Sequence, residues 1–315
     1  MRAFVVDADG RLALQECPPP VPAASEALVR VAAVSLNRGE VTRAQGAKPG
    51  TRLGWDVAGE VEVAAADGSG PPVGTRVVGL VASRGWADRV AVPTSQLAKV
   101  PDAIALTTAA SLPVAGLTAL YAVRRGEVFL GSLLGRRVLV TGTTGGVGQF
   151  AARLARLSGA RVTALVRSAA DAPLATAAGA DAVAITDGDA DAARALGPYD
   201  LIIESVGGSS LARSLDMLAP RGICVVFGVS ADTEAHIDAR AFYMAGAKTI
   251  SGLAVFEEIK TAEPAGRALA LLLALVGAGR LEPPPTETRP FARLPEAAQD
   301  LLARRVRGKL ILTLE

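Results

Sequence analysis

Cysteine and histidine are scarce in this 315-residue chain, which contains two cysteines and one histidine. Cys17 and Cys224 lie far apart amid strand-like neighbours, so the sequence supplies neither a disulfide framework nor the paired cysteines of a zinc ribbon. A chain without a disulfide framework is typical of a reducing compartment. We therefore expect a cytoplasmic protein.

Aromatic residues and net charge are also low. Aromatics make up 4% of the chain, the formal net charge is +2, and no basic stripe is visible, so we expect no nucleic-acid partner. Met1–Val6 is a short β-like run without the apolar core of a secretion signal. The most hydrophobic later segment, Ala268–Val276, is too short to span a bilayer, so we expect no membrane partner.

The apolar runs that are present indicate two kinds of organisation. Up to about Pro101, short β-prone runs broken by glycine and proline predict an all-β module with few helices. Residues 106–123 have a helical pattern, and from Arg137 strands alternate with helices, which is typical of an α/β doubly wound parallel sheet. The predicted strands of that sheet are Val138–Thr141, Val162–Val166, Ala182–Ile185, Leu201–Glu204 and Ile223–Phe227.

The last apolar run, Gly308–Leu314, reads as a strand with no helix after it. A helical pattern over Ala262–Gly279 precedes it and is broken by Pro283–Pro285. We expect this final strand to return to the β module at the start of the chain. That module is then a discontinuous domain.

The most informative stretch is Val138–Gly148, in which three β-prone residues lead into a glycine-rich turn. An alanine-rich helical pattern, Gln149–Ala155, starts as soon as the glycines end, and a second strand follows at the distance a βαβ crossover requires. Gly145 and Gly146 allow the backbone to approach a pyrophosphate, and Gly148 allows close packing of helix on strand. The sequence therefore predicts a site for a nicotinamide dinucleotide.

The residues that end the second strand distinguish between the two nicotinamide cofactors. An acidic residue there would accept a hydrogen bond from the ribose 2′-hydroxyl and repel a 2′-phosphate, whereas this chain has Arg167 and Ser168. A guanidinium clamps a phosphate with paired hydrogen bonds, and a hydroxyl adds another. An exposed arginine at a strand end is the alternative interpretation. The pair favours NADPH over NADH.

Seven motifs, spread over most of the chain and in one order, together resemble the medium-chain dehydrogenase/reductase superfamily. Within it they resemble the zinc-free quinone oxidoreductase branch, whose members are similar to zeta-crystallin. The motifs are Gly54–Val61, Val73–Gly79, Ala110–Ala119, Val138–Gly148, Tyr199–Gly208, Gly222–Gly228 and Gly308–Leu314.

This resemblance implies an α/β fold with two domains. Residues 113–259 are expected to form the Rossmann cofactor domain, a doubly wound parallel sheet. Residues 1–112 and 260–315 are expected to form a β-rich GroES-like substrate domain. In this family the run near Lys248–Leu253 extends the cofactor sheet across a two-fold axis, so a homodimer is implied.

Zinc-dependent members of the superfamily hold a catalytic metal with cysteine and histidine side chains, and such a site needs three converging protein ligands. This chain has Trp55 where those members carry a metal-binding histidine, and its one histidine, His236, lies deep in the cofactor-domain half. The resemblance therefore implies a site without metal. Without a metal to lower the pKa of a bound alcohol, reductive chemistry is favoured.

A metal-free site that holds NADPH delivers hydride to an acceptor that carries its own electron sink. A quinone and an α,β-unsaturated carbonyl both meet this requirement, so we expect a zinc-independent, NADPH-dependent quinone or enone oxidoreductase with a small-molecule substrate. Two alternatives stay open. One is an enoyl or enone reductase that tailors a secondary metabolite, and the other is a non-catalytic NADPH-binding protein.

Two residues are candidates for the catalytic machinery. Asn37 occupies the family's asparagine position and is expected to donate to the nicotinamide ribose or the substrate carbonyl; the alternative is a turn residue that tolerates positive φ. Glu40 stands where the branch usually has aspartate. Tyr121 is a candidate proton donor to the enolate, although its spacing from Thr118 on a helical pattern favours packing. Water is the other candidate donor.

The resemblance also implies cofactor contacts along the whole chain. Thr118 and Leu253 are expected near the nicotinamide, and Arg304 matches an arginine that reaches the cofactor. Two departures from the family pattern are a missing lysine after the second strand and a missing tyrosine around Thr186 and Asp187. The expected cofactor-binding residues are Asn37, Thr118, Gly142, Thr144, Gly145, Gly146, Val147, Gly148, Arg167, Ser168, Ser205, Val206, Phe227, Gly228, Leu253 and Arg304.

Overall fold

The computed structural model describes residues 1–186 and 190–314. Asp187, at one of the two departures from the family pattern, lies outside the described residues. The β-strands are β1 (Arg2–Val6), β2 (Leu12–Glu16), β3 (Glu26–Leu36), β4 (Asp56–Val63), β5 (Arg76–Leu80), β6 (Arg89–Pro93), β7 (Leu97–Lys99), β8 (Arg137–Thr141), β9 (Arg161–Val166), β10 (Ala182–Ile185), β11 (Tyr199–Glu204), β12 (Leu218–Val226), β13 (Thr249–Gly252), β14 (Thr286–Pro290) and β15 (Lys309–Thr313). The α-helices are α1 (Arg38–Gln45), α2 (Leu106–Ala110), α3 (Pro113–Leu130), α4 (Gly146–Leu157), α5 (Ala172–Ala177), α6 (Gly208–Asp216), α7 (Ala239–Met244), α8 (Val255–Thr261), α9 (Ala265–Gly277) and α10 (Leu294–Leu302).

The chain divides into two compact units. The first unit comprises Met1–Leu117 and Glu258–Glu315, and the second comprises Thr118–Glu257. The sequence-based boundaries were 112/113 and 259/260, so the structural division falls a few residues later at the first crossing and earlier at the second. The first division lies inside α3, because one continuous helix contributes residues to both units.

The first unit is built around a largely antiparallel sheet. Its strands follow the order β14-β15-β3-β4-β5-β7, and β6 also pairs with β3. The terminal strand β15 pairs antiparallel with β3, which confirms the prediction that the end of the chain returns to the β module. Phe4 and Phe291, from opposite ends of the sequence, meet edge to face with ring centroids 5.0 Å apart in the same core. The two sequence segments therefore share one hydrophobic core.

The second unit contains a six-stranded parallel sheet with the order β10-β9-β8-β11-β12-β13. Its central strands are continuous apolar runs, with Val138–Val140 and Leu201–Ile203 fully buried. Such runs are typical of a parallel sheet that is covered on both faces. The prediction of an α/β fold with a doubly wound parallel sheet is confirmed.

The strand order places a switch point between β8 and β11. From β8 the chain continues through β9 to β10 on one side, and from β11 it continues through β12 to β13 on the other. In an open α/β sheet, ligands bind outside the carboxyl ends of the strands where the order reverses. The loops that follow β8 and β11 therefore border the expected binding crevice.

The structure differs from the sequence prediction in several local elements. The helical pattern over residues 106–123 is two helices, α2 and α3, because the chain turns at Ser111–Leu112 before Pro113 begins the second one. Strand β14, which pairs parallel with β15, lacks apolar alternation and was not predicted. Helices α7 and α10 were not predicted either. Among the described residues, no helix combines the length and hydropathy needed to cross a membrane.

Candidate cofactor site

The glycine-rich turn after β8 is held together by close backbone approaches. Gly142 has a φ of +61°, and a Cβ there would lie 2.6 Å from Ser205 Oγ. A Cβ on Gly148 would overlap the carbonyl oxygen of Gly142. Thr143 Oγ1 donates to Val140 O at 2.8 Å and anchors the turn to the strand. Glycine is therefore favoured at the first position of this turn by its positive φ, and at the last position because backbone atoms leave no space for a side chain.

The N-terminus of α4 is open. Its cap residue, Gly145, makes no side-chain hydrogen bond, and the first turn contains no acidic residue. The first N–H groups of a helix have no partner within the helix, and together with the helix dipole they favour an anion. Thr144, Gly146 and Val147 complete this turn. The turn fits a pyrophosphate because glycine leaves room for it and no side chain competes for the donors.

The parallel sheet brings the predicted cofactor residues of the second unit to one edge. Ser205 and Val206 follow β11, Phe227 and Gly228 follow β12, and Leu253 follows β13. Parallel strands all present their carboxyl ends at the same edge, so these residues lie along the same side of the sheet as the turn after β8. Their cofactor contacts remain predictions.

Arg167 and Ser168 follow β9, next to β8 in the sheet. Arg167 is exposed, and its guanidinium has no hydrogen bond or ion pair with another residue in the two described ranges. Ser168 Oγ accepts a hydrogen bond from Ala170 N at 3.1 Å, so this hydroxyl already caps the following turn. Of the two residues, Arg167 therefore has the freer polar group for a phosphate.

In the first unit, Asn37 lies in a buried polar cluster that the sequence did not predict. Asn37 caps α1, and its Nδ2 donates to Glu40 Oε1 at 3.0 Å and to Asp56 Oδ2 at 2.9 Å. Lys309 Nζ donates to Asn37 Oδ1 at 2.6 Å and to Leu36 O at 3.1 Å. We call Asn37, Glu40, Asp56 and Lys309 the buried polar cluster.

The buried polar cluster combines one ammonium with two carboxyl groups that are fully buried. Burial raises the pKa of Glu40 well above its ordinary value, and the negative charge of Asp56 raises it further. Burial also raises the pKa of Asp56, but the ammonium of Lys309, 3.5 Å away, opposes this. The charges balance when Asp56 is ionised, Lys309 is protonated and Glu40 is neutral. We therefore interpret the buried polar cluster as containing an ionised Asp56, a protonated Lys309 and a neutral Glu40.

This geometry restricts what Asn37 can do. Both hydrogens of its carboxamide are donated to carboxyl oxygens and its oxygen accepts from Lys309, so no donor is left over. Asn37 is 9% exposed. To donate to a ribose or a substrate carbonyl, it would first have to release Glu40 or Asp56. That role stays a prediction.

The other predicted residues lie on helices and turns. Thr118 and Tyr121 are on α3 and are each 5% exposed. Arg304 follows α10 with a φ of +59° and an exposed side chain. Asn37 and Arg304 belong to the first unit, whereas the remaining predicted residues belong to the second. Residues 1–186 and 190–314 contain no cluster of three or more His, Cys, Asp or Glu side chains that could hold a metal.

Two family models match this chain. Residues 23–102 match the model described as Alcohol dehydrogenase GroES-like domain, and residues 146–271 match the one described as Zinc-binding dehydrogenase. The first match lies within the first unit, and the second begins at the first residue of α4. Both domains expected from the sequence are therefore represented in known families.

Three similar proteins indicate the range of relatives. The Spectinabilin polyketide synthase system protein NorB of Streptomyces orinoci is 35% identical over 96% of this chain, but the chain spans only 14% of that protein. The quinone oxidoreductase of Pseudomonas aeruginosa is 27% identical over 93% of both chains. A solved mycobacterial structure complexed with NADPH is 28% identical, has a TM-score of 0.89 and covers 100% of both chains.

Proposed function

Because this chain belongs to the medium-chain dehydrogenase/reductase superfamily, in its quinone oxidoreductase branch, we propose that it is a zinc-independent, NADPH-dependent reductase. Its substrate is a quinone or an α,β-unsaturated carbonyl. The observation that carries the proposal is the open N-terminus of α4 at the switch point of the parallel sheet. The NADPH complex of the similar mycobacterial protein supports the same cofactor.

The preference for NADPH over NADH rests on Arg167. This side chain follows the strand next to β8, is exposed, and carries a guanidinium that matches the geometry of a phosphate. No acidic residue takes its place to bind a ribose 2′-hydroxyl. Arg167 therefore holds the 2′-phosphate, and the N–H groups at the start of α4 hold the pyrophosphate.

When bound, the nicotinamide supplies a hydride to an acceptor that carries its own electron sink. The chain's own contribution is to bind and orient. Glycine at positions 142 and 148 lets the turn after β8 close without side-chain overlap, and the uncapped turn of α4 directs its donors to the phosphates. Asn37 and Tyr121 remain the candidates for the hydrogen bond to the substrate oxygen and for the proton. Water is the alternative proton source.

The zinc-independent part of the proposal is supported by the buried polar cluster. The carboxylate of Asp56 is already paired with the ammonium of Lys309, and burial raises the pKa of Glu40. A zinc site needs deprotonated ligands that converge on the metal. Here the ammonium of Lys309 is the cation next to the buried carboxylate of Asp56 instead.

An enoyl reductase of secondary metabolism is the second candidate. It is favoured by the 35% identity to a polyketide synthase protein that is about seven times longer than the matched region, since the chain spans 14% of it. In that case the same hydride transfer would act on an enoyl intermediate. A non-catalytic NADPH-binding protein is the remaining alternative.

Binding and turnover test these candidates in order. We expect NADPH to quench protein fluorescence more strongly at low concentration than NADH, and Arg167→Ala to weaken NADPH binding about tenfold while leaving NADH binding unchanged. Arg161→Ala is the matched control, because Arg161 starts β9 at the opposite edge of the sheet. Oxidation of NADPH by 1,4-benzoquinone or a simple enone then supports the reductase. Failure to bind either nucleotide would overturn it.

Turnover results separate the remaining candidates. Activity with an enoyl thioester but not with 1,4-benzoquinone would favour the enoyl reductase. Binding of NADPH without oxidation by any acceptor would favour the non-catalytic protein. We also propose a homodimer formed through β13, which is the edge strand of the parallel sheet and carries the half-exposed Ile250. A molar mass of one chain in light scattering would contradict that proposal.

A further inference from the structure

A buried glutamate closes the loop after β11. Glu204 is the last residue of β11 and is fully buried. Its carboxylate accepts the backbone N–H of Val206 at 3.0 and 3.1 Å and that of Gly207 at 3.0 Å. Ser210 Oγ, in the first turn of α6, donates to it at 3.0 Å. All of these partners are neutral donors, so the carboxylate serves to organise a loop rather than to pair with a cation.

The same carboxylate is connected to the glycine-rich turn. Thr141, the last residue of β8, has its Oγ1 3.4 Å from Glu204 Oε1, and this Oγ1 accepts the backbone N–H of Ser205 at 2.9 Å. The next residue, Gly142, approaches Ser205 so closely that a Cβ would lie 2.6 Å from Ser205 Oγ. Glu204 and Thr141 therefore hold the two loops of the switch point at a defined distance from each other.

The loop that Glu204 holds needs such a restraint. Gly207 and Gly208 have φ values of +78° and +53°, a region that glycine enters readily. Glycine also loses more conformational freedom on folding than any other residue. Two hydrogen bonds to the backbone of this loop reduce that freedom. They also occupy donors just before α6, whereas the donors at the start of α4 are left to a ligand.

We propose that Glu204 is a positioning residue of the cofactor site, which sets the loop of residues 205–207 against the pyrophosphate-binding turn after β8. This inference rests on the proposed NADPH-binding function. It assigns to Glu204 a role that acts through the backbone of this loop. Because the pyrophosphate is common to NADPH and NADH, Glu204 contributes equally to the binding of both nucleotides, in contrast to Arg167.

Glu204→Gln is the most informative substitution, because it preserves size but replaces one of the two acceptor oxygens with an NH₂ group, which cannot accept from the N–H groups of the loop. We expect the dissociation constants of NADPH and of NADH both to rise about tenfold, with their ratio unchanged. Fluorescence titration measures both constants. Circular dichroism and the thermal midpoint of the free protein verify that the variant is folded.

Three further variants distinguish the proposed role from a general loss of structure. Ser210→Ala removes the donor on α6 but leaves the hydrogen bonds of Glu204 to the N–H groups of Val206 and Gly207 in place. We therefore expect the NADPH dissociation constant to change less than about threefold. Thr141→Val removes the acceptor of the Ser205 N–H, and we expect it to weaken the binding of both nucleotides. Thr141→Ser retains the hydroxyl, and we expect it to bind both nucleotides as the wild type does. This pair tests the same connection even where Glu204→Gln does not fold.

The outcomes separate this inference from the proposed function. Wild-type binding of NADPH together with unchanged binding by folded Glu204→Gln, or by both Thr141 variants, overturns the role of Glu204 alone. A changed NADPH to NADH ratio also overturns it, because the effect would then lie at the 2′-phosphate. Absence of nucleotide binding by the wild-type protein overturns the proposed function and this inference with it.

Discussion

The N-terminus of α1 is closed by side chains of the protein, whereas the N-terminus of α4 is open. At α1, Asn37 is the cap residue, and Glu40 returns to accept the Asn37 N–H at 2.8 Å. At α4, Gly145 is the cap residue and has no side chain to offer. At the closed end the N–H and the carboxamide of Asn37 have partners within the protein, whereas the open end keeps donors for a ligand.

The same contrast extends to the charges around the two helix ends. The closed end of α1 is buried with the ammonium of Lys309 and the carboxyl groups of Glu40 and Asp56. The turn before α4 contains no charged side chain between Thr141 and Phe150. The candidate anion site therefore lacks charged side chains that would compete for its donors, whereas the buried polar cluster holds its charged groups in hydrogen bonds and an ion pair within the protein.

Among the substitutions considered, removal of the cation from the buried polar cluster is expected to lower the free energy of unfolding most. Lys309→Met leaves the buried carboxylate of Asp56 without its ion pair, and we expect a loss of about 3–5 kcal/mol in the free energy of unfolding. Urea denaturation at neutral pH measures this loss. The double variant Asp56→Asn/Lys309→Met removes both charges and is expected to recover part of it. A single variant as stable as the wild type would contradict the ion pair.

A side chain that caps the N-terminus of α4 is expected to weaken NADPH binding there. Gly145→Asp places a carboxylate at the cap of α4, where a Cβ has its nearest neighbour at 3.5 Å and therefore fits. We expect the free protein to gain roughly a few tenths of a kcal/mol in stability, because aspartate is a somewhat better cap residue than glycine. We also expect NADPH binding to weaken about a hundredfold, because the carboxylate takes the donors and repels the phosphates.

Calorimetry and fluorescence titration measure the two opposite effects of Gly145→Asp. Gly145→Ala is the matched control, since it adds a Cβ without a charge or a cap. A variant that gains stability and still binds NADPH as the wild type does would show that the pyrophosphate lies elsewhere.

The smallest expected effect is that of Glu40→Gln. Because the raised pKa of Glu40 favours its neutral form in the buried polar cluster, an isosteric amide is expected to change the free energy of unfolding by less than about 1 kcal/mol near pH 4, where the unfolded side chain is also largely protonated. A glutamate whose pKa is raised on folding stabilises the protein below its unfolded pKa, and this contribution is lost as the pH rises through the folded pKa. Glutamine cannot titrate and lacks this dependence.

We therefore expect the stability of wild type relative to Glu40→Gln to decrease as the pH rises from about 4 toward 8. Urea denaturation of both proteins across this range measures the difference. A relative stability that increases with pH would mean that Glu40 is ionised in the folded protein. In that case the charge balance of the cluster would have to be assigned differently.

Much of the fold could be predicted because its signals are local. The run Val138–Gly148 and the helix after it are identified by neighbouring residues, and the parallel sheet by apolar runs that are buried on both faces. The prediction missed β14, since Thr286–Pro290 has no alternating pattern and becomes a strand only by pairing with β15. It also missed α10, which follows the proline run Pro283–Pro285 and the unpredicted strand β14.

The candidate site was predictable where a motif is contiguous. The turn before α4 is one stretch of sequence, so its glycines could be assigned directly. The partners of Asn37 could not be assigned, because Asp56 and Lys309 are 19 and 272 residues away and meet it only through the pairing of β3 with β4 and β15. Glu204 reads in sequence as the end of a strand, and nothing local distinguishes it from a surface acid.

The sequence by itself determined the strands β8 to β12 of the parallel sheet, the glycine turn and the arginine at the end of β9, because backbone propensity and steric freedom act over a few residues. Only the tertiary structure decided which polar groups have partners. It closed the end of α1 with a lysine from the last strand and the loop after β11 with Glu204, and it left the end of α4 open. Hydrogen bonds and charge pairs depend on distances in space, which residues far apart in the chain acquire only on folding.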